Sequence, residues 1–578
     1  MNRYKMIKRV LITLFLSFLM LPCVLAQETS IKREVTLYNP YKPSLNSATK
    51  RSYLPDLQDT ILSKPQFRYD VNAQPLMSQY KISPIKAASI LPDPLPKLYK
   101  SYINAGIGTH LSGLGELSIA NERSNKGAIG FYGRHFSSSG KIKLYNNEKV
   151  NAGYMDNEAS LFGRKFFNRS VLGGSVDFTQ NIRHAFGYDT AFVGYAPEKD
   201  SVRMKYNDIG AKISYSSAEL DSNRLYYDFN LSYDYFFHRK DNFRHRVLMD
   251  GVMAKTVSSF YVGSGINYEL YMPSDSLSFN NEYIFALSPF VKKSSSQWNF
   301  KLGFEFLRDR DESFHVYPNL SFGFAVVPSY INFFANVDGY LERNDPTKII
   351  GVNPYLFNAR TFISDSVTYS LFRLPDTDHQ IVATAGLKGS NGIGGRYLIS
   401  ASYSIIKNML FYSNVVSPDT VIPRVMGNYF MPVVDVGNIF NVHGEISGKI
   451  SDKLSFDGSA NIYNYDFDNK PWNKPAWDAR FGLGYNLRDK ILAGLDLTTL
   501  GKRTNVINAD YHSKSSGYIL QEIEMPVHFN INLKAEYRYS KILSFWVNIN
   551  NISLKDYNEW AFYPSHRFLL MAGFTYSL

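Results

Sequence analysis

The sequence predicts an all-β protein: a transmembrane, antiparallel, up-and-down outer-membrane β-barrel of about 22 strands, preceded by an irregular proline-rich arm. Three observations predict this fold class. Long segments alternate apolar and polar residues, the chain starts with an export signal, and tight turns alternate with long loops. The predicted organisation is a signal peptide over residues 1–26, an arm over 27–97 and a barrel over 98–578.

Two-residue alternation is clearest from Val527 to Ser540, where every odd position is apolar or aromatic and every even position is polar. A strand points successive side chains to opposite faces, so this segment has one apolar and one charged face. It exceeds the ~5–6 residues of a typical soluble strand and the roughly 9–11 needed to cross a bilayer. The pattern recurs over 225–237, 298–306 and 477–487. An exported β-sandwich is the alternative, but sandwiches rarely sustain strands of this length.

The start of the chain predicts a secretory signal peptide. Four cations within the first nine residues precede an apolar run over 10–20, and cleavage is expected between Ala26 and Gln27. The run is shorter than the ~20 residues of a spanning helix, and Pro22 follows it. Any later membrane crossing then requires a barrel, because every backbone polar group must be hydrogen-bonded in lipid.

Composition agrees with this fold and argues against several chemistries. Aromatic residues make up 15% of the chain, enough for two interfacial girdles. The formal charge of +12 becomes +8 without the four signal cations, and the export signal favours anionic lipid headgroups or an acidic solute over nucleic acid as the partner. Cys23 is the only cysteine, and Asp466 and Asp468 lack a third metal ligand nearby. No catalytic motif is visible, so we expect no enzyme activity, cofactor or metal.

Residues 27–97 differ in kind from the rest of the chain. They contain nine prolines and no sustained period of 2 or 3.6. Proline removes a ladder donor and favours extended geometry in the residue before it, so we expect an irregular arm in the periplasm or in the lumen. A barrel of 22 strands is wide enough to need occlusion. We expect the arm and the loops over 343–378 and 407–435 to fill it, with binding of periplasmic proteins as the alternative role of the arm.

The connections predict the topology independently. Bacterial barrels have short periplasmic turns and longer extracellular loops. If the first strand leaves the periplasm near Leu98, all the tight turns fall inside and all the long loops outside, with an even strand count of about 22. The tight turns lie near 168–169, 257–258, 451–453, 488–490 and 540–541, and the long loops span 137–156, 183–205, 343–378, 407–435 and 501–525.

A motif near the end of the chain consists of Asn551, Tyr557, Trp560, Tyr563, Pro564 and Arg567. It resembles the closing hairpin of TonB-dependent receptors of the Bacteroidota. The resemblance implies a 22-stranded barrel and a role in solute uptake or passage. The plug domain of that family has no recognisable counterpart in 27–97, so engagement of TonB is left open. The alternative is a plugless structural or assembly subunit of a multi-protein outer-membrane complex, and a barrel enzyme is the third class.

The last strand carries a possible assembly signal. Gly573, Tyr576 and Leu578 match the pattern Gly-x-x-aromatic-x-hydrophobic at the chain end. Such a strand is expected to pair with the barrel-assembly machinery by β-augmentation. Because any last strand of a barrel is amphipathic, the pattern also has a purely structural explanation.

Two sets of residues are predicted to face the cell exterior. Arg239, Lys240, Arg244 and Arg246 flank a predicted extracellular hairpin, where they would bind lipopolysaccharide phosphates unless the tip is simply solvated. Asp-Ser/Thr-aliphatic triplets resemble the O-glycosylation acceptor of exported Bacteroidota proteins, although the same residue types also favour turns. The acceptor hydroxyls would be those of Thr190, Ser201, Ser276, Ser366 and Thr420.

Overall fold

The computed structural model describes residues 99–121, 124–188, 198–218, 224–239, 242–274, 281–356, 362–364, 367–369, 374–392, 394–417, 425–508, 520–553, 557–566 and 568–578. The signal peptide, its cleavage site and the proline-rich arm lie outside the described residues, so these three assignments stay predictions. In the described parts of the chain, no helix is long and apolar enough to cross a membrane.

Twenty-two strands form the wall of a closed antiparallel barrel. Each strand pairs with the next along the chain, and the last pairs with the first, from Tyr102 opposite Ser577 to Gly108 opposite Met571. The predicted fold class and strand number are confirmed. The strands are Ser101–Gly108 (β1), Ser112–Ala120 (β2), Gly127–Ser138 (β3), Tyr154–Phe166 (β4), Ser170–His184 (β5), Arg203–Ser217 (β6), Tyr226–Arg239 (β7), Asn242–Val257 (β8), Phe260–Ser274 (β9), Glu282–Ser294 (β10), Trp298–Arg308 (β11), Phe314–Val327 (β12), Ile331–Glu342 (β13), Thr377–Ser390 (β14), Arg396–Ser417 (β15), Val425–Lys449 (β16), Leu454–Phe467 (β17), Trp477–Leu487 (β18), Ile491–Leu500 (β19), His528–Arg538 (β20), Leu543–Asn550 (β21) and Leu569–Ser577 (β22).

Four long connections contain short β-hairpins. One of these four, between β13 and β14, also contains a helix, α1, over Pro346–Val352. The hairpin in the connection from β19 to β20 also joins the main sheet, because Asn414 of β15 pairs in parallel with Ile507. The hairpins pair Lys141–Lys143 with Lys149–Asn151, Phe362–Ser364 with Val367–Tyr369, Arg503–Asn508 with Leu520–Met525, and Asn558–Trp560 with Tyr563–Pro564.

The side chains of the wall alternate between its two surfaces as the sequence predicts. In β7, Leu231 and Tyr233 are exposed on the outer surface. On the inner surface, Asp234 pairs with Arg246 of β8 at 2.7 Å. The barrel therefore has an apolar outer surface and a polar lumen.

The predicted tight turns are confirmed, and they lie at one end of the barrel with the two ends of the wall. At that end the backbone N–H of Ser101 bonds to the carbonyl of Leu578 at 3.1 Å. The opposite end, which we call the loop end, carries the connections 139–153, 185–202, 343–376 and 501–527. Four of the five predicted long loops are therefore confirmed.

The predicted loop over 407–435 is wrong, because β15 continues to Ser417 and β16 begins at Val425. Side chains are buried on both faces of this extended hairpin. Tyr412 packs in one hydrophobic cluster, whereas its neighbour Phe411 packs in another with Trp472. With both faces covered, the two-residue alternation disappears, and the segment resembles a loop in sequence.

Glycines at the seam between β1 and β22 make room for an indole ring. A Cβ atom on Gly106 would lie 2.5 Å from the ring of Trp546, and one on Gly573 would clash with the same ring. The space allows Trp546 to donate from Nε1 to Asn104 Oδ1 at 2.8 Å. Gly573 therefore has a packing role where the barrel closes, whatever its role in assembly.

The alternation predicts a sharp difference between adjacent residues near the middle of β7. Leu231→Arg places a cation on the lipid surface and should cost about 2–4 kcal/mol of folding free energy, whereas Ser232→Arg points into the wet lumen and should cost much less. Chemical denaturation of the folded barrel in lipid measures both. Equal losses would contradict the assignment of the two surfaces.

Candidate functional site

Four connections pack together at the loop end, and we call residues 139–153, 185–188, 343–356 and 557–566 the loop cap. The ring of Tyr563 stacks on Tyr355 with centroids 3.8 Å apart and lies 5.0 Å from that of Phe186. The cap thus has a hydrophobic core that is continuous with the barrel wall. Among its buried members are Ile142, Leu144, Val150, Phe186, Tyr188, Ile349, Ile350, Tyr355 and Tyr563 from the cap, with Tyr206, Phe236 and Phe430 from the wall.

A buried arginine fixes helix α1 to the barrel wall. Asp345 caps the helix by accepting the N–H of Thr347 at 2.9 Å, and Pro346 occupies its first turn. Arg244 of β8 is fully buried and donates to Asp345 Oδ1 and to Thr347 Oγ1, both at 2.8 Å. The Thr347 hydroxyl donates to Asp208 Oδ2 of β6 at 3.0 Å. Arg244 therefore holds the start of the helix against β8, and the Thr347 hydroxyl holds it against β6.

Asp376 fixes the other end of the same connection through two arginines. It accepts from Arg310 Nη2 at 2.5 Å and from Arg343 Nη1 at 2.9 Å. Arg310 also pairs with Glu282 at 3.2 Å, and Arg343 with Glu269 at 3.0 Å. Buried charges are tolerated because they are paired in this way, and the loss of one partner leaves the other uncompensated. The network therefore holds the two ends of the connection, at Arg343 and Asp376, against the inner surface of the wall.

A cavity of about 300 Å³ lies within the loop cap, and all four cap segments contribute to its lining. Three tyrosines and a phenylalanine line it together with a larger number of polar side chains. Its volume is at the lower end of the ~300–1,000 Å³ range of ligand pockets. The residues that bear on its chemistry are Tyr154, Arg183, Phe186, Tyr355, Asn530, Tyr557, Glu559 and His566.

Arg183, near the loop end of β5, contributes a guanidinium to the cavity. Its Nη1 donates to Asp156 Oδ1 at 2.7 Å and to the carbonyl of Ile182 at 3.0 Å. The guanidinium carbon lies 5.6 Å from the ring centroid of Tyr154. All of its hydrogen bonds within the described residues use Nη1. Nε and Nη2 therefore have bonding capacity for a ligand.

Glu559 contributes the carboxylate of the cavity. Its side chain lines the cavity and is exposed there. Burial raises the pKa of this carboxyl, and the positive charges of Arg183 and Arg503 oppose the rise. Arg503 binds only the backbone here, donating to the carbonyl of Glu559 at 2.7 Å. In the described parts of the chain, the Glu559 carboxylate has no ion-pair partner.

Several further polar atoms at the cavity are buried and find no hydrogen-bond partner among the described residues, and Asn530 Oδ1 and His566 Nε2 are two of them. Burial lowers the pKa of His566 to about 4, so the ring is neutral at pH 7. A buried polar atom without a partner costs about 1–3 kcal/mol. Both atoms are therefore suited to bind the polar groups of a ligand.

The closing-segment motif builds the loop cap. Asn551 turns the chain at the end of β21 with a φ of 52°, a conformation that asparagine tolerates better than most residues. Tyr557 lines the cavity, Tyr563 lies at the centre of the cap core, Trp560 packs against that core, and Pro564 is buried. Arg567 lies outside the described residues. The residues of the motif thus form part of the cap core and of the cavity lining, a structural role that the sequence alone does not reveal.

Two of the four residues of the predicted lipopolysaccharide contact point into the barrel. Arg244 is fully buried against Asp345, and Arg246 pairs with Asp234 on the lumen surface. Both point inward because they fall in the lumen register of β8. The side chains of Arg239 and Lys240 lie outside the described residues, so their lipopolysaccharide contact stays a prediction.

Of the five predicted glycosylation residues, only Ser201 can be placed. It is exposed, and its hydroxyl donates to the carbonyl of Glu198 at 2.8 Å. Modification of these residues stays a prediction, as does the assembly role of Gly573, Tyr576 and Leu578. The other four predicted acceptors lie outside the described residues: Thr190, Ser276, Ser366 and Thr420.

Sequence reasoning missed the charges that line the cavity and anchor the cap. Arg183 continues the polar register of β5, so in sequence it resembles any other lumen residue. Glu559 lies inside the closing motif but is not one of its signature residues. Register shows that a side chain faces the lumen, but not which distant loop it meets.

No protein-family model matches the chain, and no curated protein matches it. Solved structures do match. The pyoverdine outer membrane receptor FpvA of Pseudomonas aeruginosa PAO1 superposes with a TM-score of 0.59 at 11% identity, over 84% of this chain and 79% of that chain. The siderophore receptor PirA of Acinetobacter baumannii gives 0.60 at 9% identity, over 84% and 81%. The FrpB iron transporter of Neisseria meningitidis gives 0.59 at 13% identity, over 84% and 82%.

At sequence identities of 9–13%, the similarity to these structures shows the fold alone. The chain has the barrel architecture of outer-membrane receptors and transporters. The closed wall and its apolar outer surface place the protein in an outer membrane.

Removal of one partner from the buried network should loosen the 343–376 connection. Asp376→Asn leaves Arg310 and Arg343 poorly compensated, and we expect a loss of about 3–5 kcal/mol. Hydrogen exchange over 343–356 should rise while the barrel wall stays protected. Glu312→Gln is the control, since that exposed side chain pairs with Arg308 and should change stability by less than about 1 kcal/mol. Unchanged exchange in Asp376→Asn would show that the network does not hold the loop.

The loop cap should also loosen in acid through His566. The pKa of His566 is about 4 in the closed cap, whereas an exposed histidine has a pKa of ~6.5. Between about pH 4 and pH 6.5 the opened cap therefore binds more protons than the closed cap. Cap stability is therefore lost as the pH falls from about 6.5 to 4. Proteolysis of 557–566 at pH 7 and pH 4.5 measures this, with Glu559→Gln to remove the carboxyl that also titrates. His566→Asn should flatten the dependence, and an unchanged pH profile in that variant would contradict it.

Proposed function

We propose that the protein serves the uptake or passage of a small solute across the outer membrane, and that the cavity of the loop cap is where the solute is first bound. The observation that carries the proposal is a small polar and aromatic cavity enclosed by inward-packed loops at the mouth of a transporter-type barrel. A wall that served only as a scaffold has no need of a carboxylate without an ion-pair partner and of buried polar atoms without hydrogen-bond partners at one cavity. Burying such groups costs folding free energy that binding a solute would recover.

A second cavity supports a path through the cap. It measures about 310 Å³ and lies between β5, β6 and helix α1, lined by Thr179, Asp208 and Thr347 among others. Arg183 lines both cavities. Since Thr179 is further from the loop end of β5 than Arg183, the second cavity is the deeper one. Two cavities that share Arg183 are what stepwise entry of a solute requires.

The proposal includes joint occlusion of the lumen by the loop cap and the arm over 27–97. A wide open barrel would compromise the outer membrane. Hydrophobic contacts hold the loop cap against the barrel wall. The arm is rich in proline, which favours an extended backbone, and an extended backbone can pass through a cavity without a core of its own. The resemblance to TonB-dependent receptors supports a receptor-type role, with TonB engagement left open. Periplasmic proteins are proposed partners of the arm, and lipopolysaccharide is the proposed neighbour of the wall.

Single-channel recording and solute flux into proteoliposomes test the function. Deletion of residues 30–90 and the variant Tyr563→Ala should each raise conductance, because each removes part of the occlusion. Tyr539→Ala is the matched control, since that ring is 63% exposed at the opposite end of the barrel. A native barrel and variants that all pass no solute would contradict the proposed function. A deletion that leaves conductance unchanged would show only that the arm is not part of the occlusion.

A further inference from the structure

Two opposite charges line the cavity of the loop cap without neutralising each other. Among the described residues, Arg183 and Glu559 form no ion pair within the 4.0 Å limit of a salt bridge. They are nevertheless near enough for the guanidinium to oppose the rise in the pKa of the carboxyl. The two charges therefore lie on the same small cavity with room between them.

Each of these charges retains bonding capacity. Arg183 uses Nη1 for Asp156 and keeps Nε and Nη2, and the Glu559 carboxylate has no ion-pair partner in the described chain. Charge-assisted hydrogen bonds to such groups are about twice as strong as neutral ones. A ligand with one anionic and one cationic group would satisfy both ends at once.

The rest of the lining adds no net charge. His566 is neutral at pH 7, and Asn530 offers a buried acceptor oxygen. Tyr355 and Tyr557 contribute aromatic faces, which attract cations as well as apolar groups. The recognition charges are thus one cation and one anion in a space of about 300 Å³.

We propose that this cavity recognises a small zwitterionic solute that carries both an ammonium and a carboxylate group, such as an amino acid or a dipeptide. Arg183 binds the carboxylate and Glu559 binds the ammonium, while Asn530 Oδ1 accepts from a further donor. This assignment rests on the proposed function, since it names the class of solute that the same cavity takes in. A solute with a single charge would leave either the Glu559 carboxylate without a cationic partner or Nε and Nη2 of Arg183 without an acceptor, and a neutral solute would leave both.

Four related probes separate these classes. They are glycylglycine, which is zwitterionic, its N-acetyl derivative, which is anionic, its C-terminal amide, which is cationic, and the doubly blocked neutral compound. Calorimetry on the purified full chain in detergent at pH 7.5 should show the tightest binding for glycylglycine. Each blocked charge should cost about tenfold or more in affinity, the loss of one charge-assisted hydrogen bond.

Variants assign each end of the ligand. Glu559→Gln should lose the preference for a free ammonium and keep the preference for a free carboxylate. Arg183→Gln combined with Asp156→Asn should show the opposite pattern, because the double change removes the ion pair without leaving Asp156 unpaired. Glu524→Gln is the control, since that carboxylate is 75% exposed on a neighbouring loop. Heat-modifiable migration on gels verifies that every variant is folded.

Passage of arabinose, a neutral sugar, in proteoliposomes separates the two proposals. If the barrel passes arabinose but binds all four probes equally, or if Glu559→Gln binds them as the native chain does, the zwitterion assignment is overturned while the proposed function stands. If binding follows the charges but no solute crosses, the ligand class is supported and uptake is contradicted.

Discussion

Closure of the hydrogen-bonded wall is the constraint on which the other features depend. An unpaired backbone N–H or C=O in lipid costs several kcal/mol, so a sheet that spans a membrane must close on itself. Here β22 meets β1, and two glycines at that seam leave space for the ring of Trp546. Once the wall is closed, two-residue alternation sends apolar side chains to lipid and encloses the polar ones.

The enclosed charges then organise the loop end. Where the cap and the wall bury them, as at Arg244 and Asp376, they are tolerated because they are paired. Asp345 and Asp376 lie near the two ends of the connection between β13 and β14, and they pair with Arg244 and with Arg310 and Arg343, respectively. This fixes helix α1 and places Tyr355 where Tyr563 stacks on it. The hydrophobic core of the cap therefore depends on ion pairs that lie outside it.

The cavity of the loop cap is lined by polar groups that this packing leaves without partners among the described residues. Most charges near the loop end find partners in the wall or the cap, whereas Glu559 and the unused nitrogens of Arg183 face a common space. Groups held in this way are organised for a ligand before it arrives, which lowers the entropic cost of binding. The same packing that narrows the lumen thus builds a small recognition site at its mouth.

The sequence by itself determined the wall. Alternation is a local property of each strand, and turn length alternates with membrane side, so strand number, the lumen register of Asp234 and the outward register of Leu231 follow from residues near in sequence. The extension of β15 and β16 beyond the rest of the wall was not predicted, because both faces of this hairpin are buried around Phe411 and the alternation is lost. The register of Arg244 was also predictable from β8, yet its burial depended on Asp345, a residue of a distant connection. Only the tertiary structure decided the site, because Arg183, Asn530 and Glu559 come from separate parts of the chain and meet only when four connections turn inward.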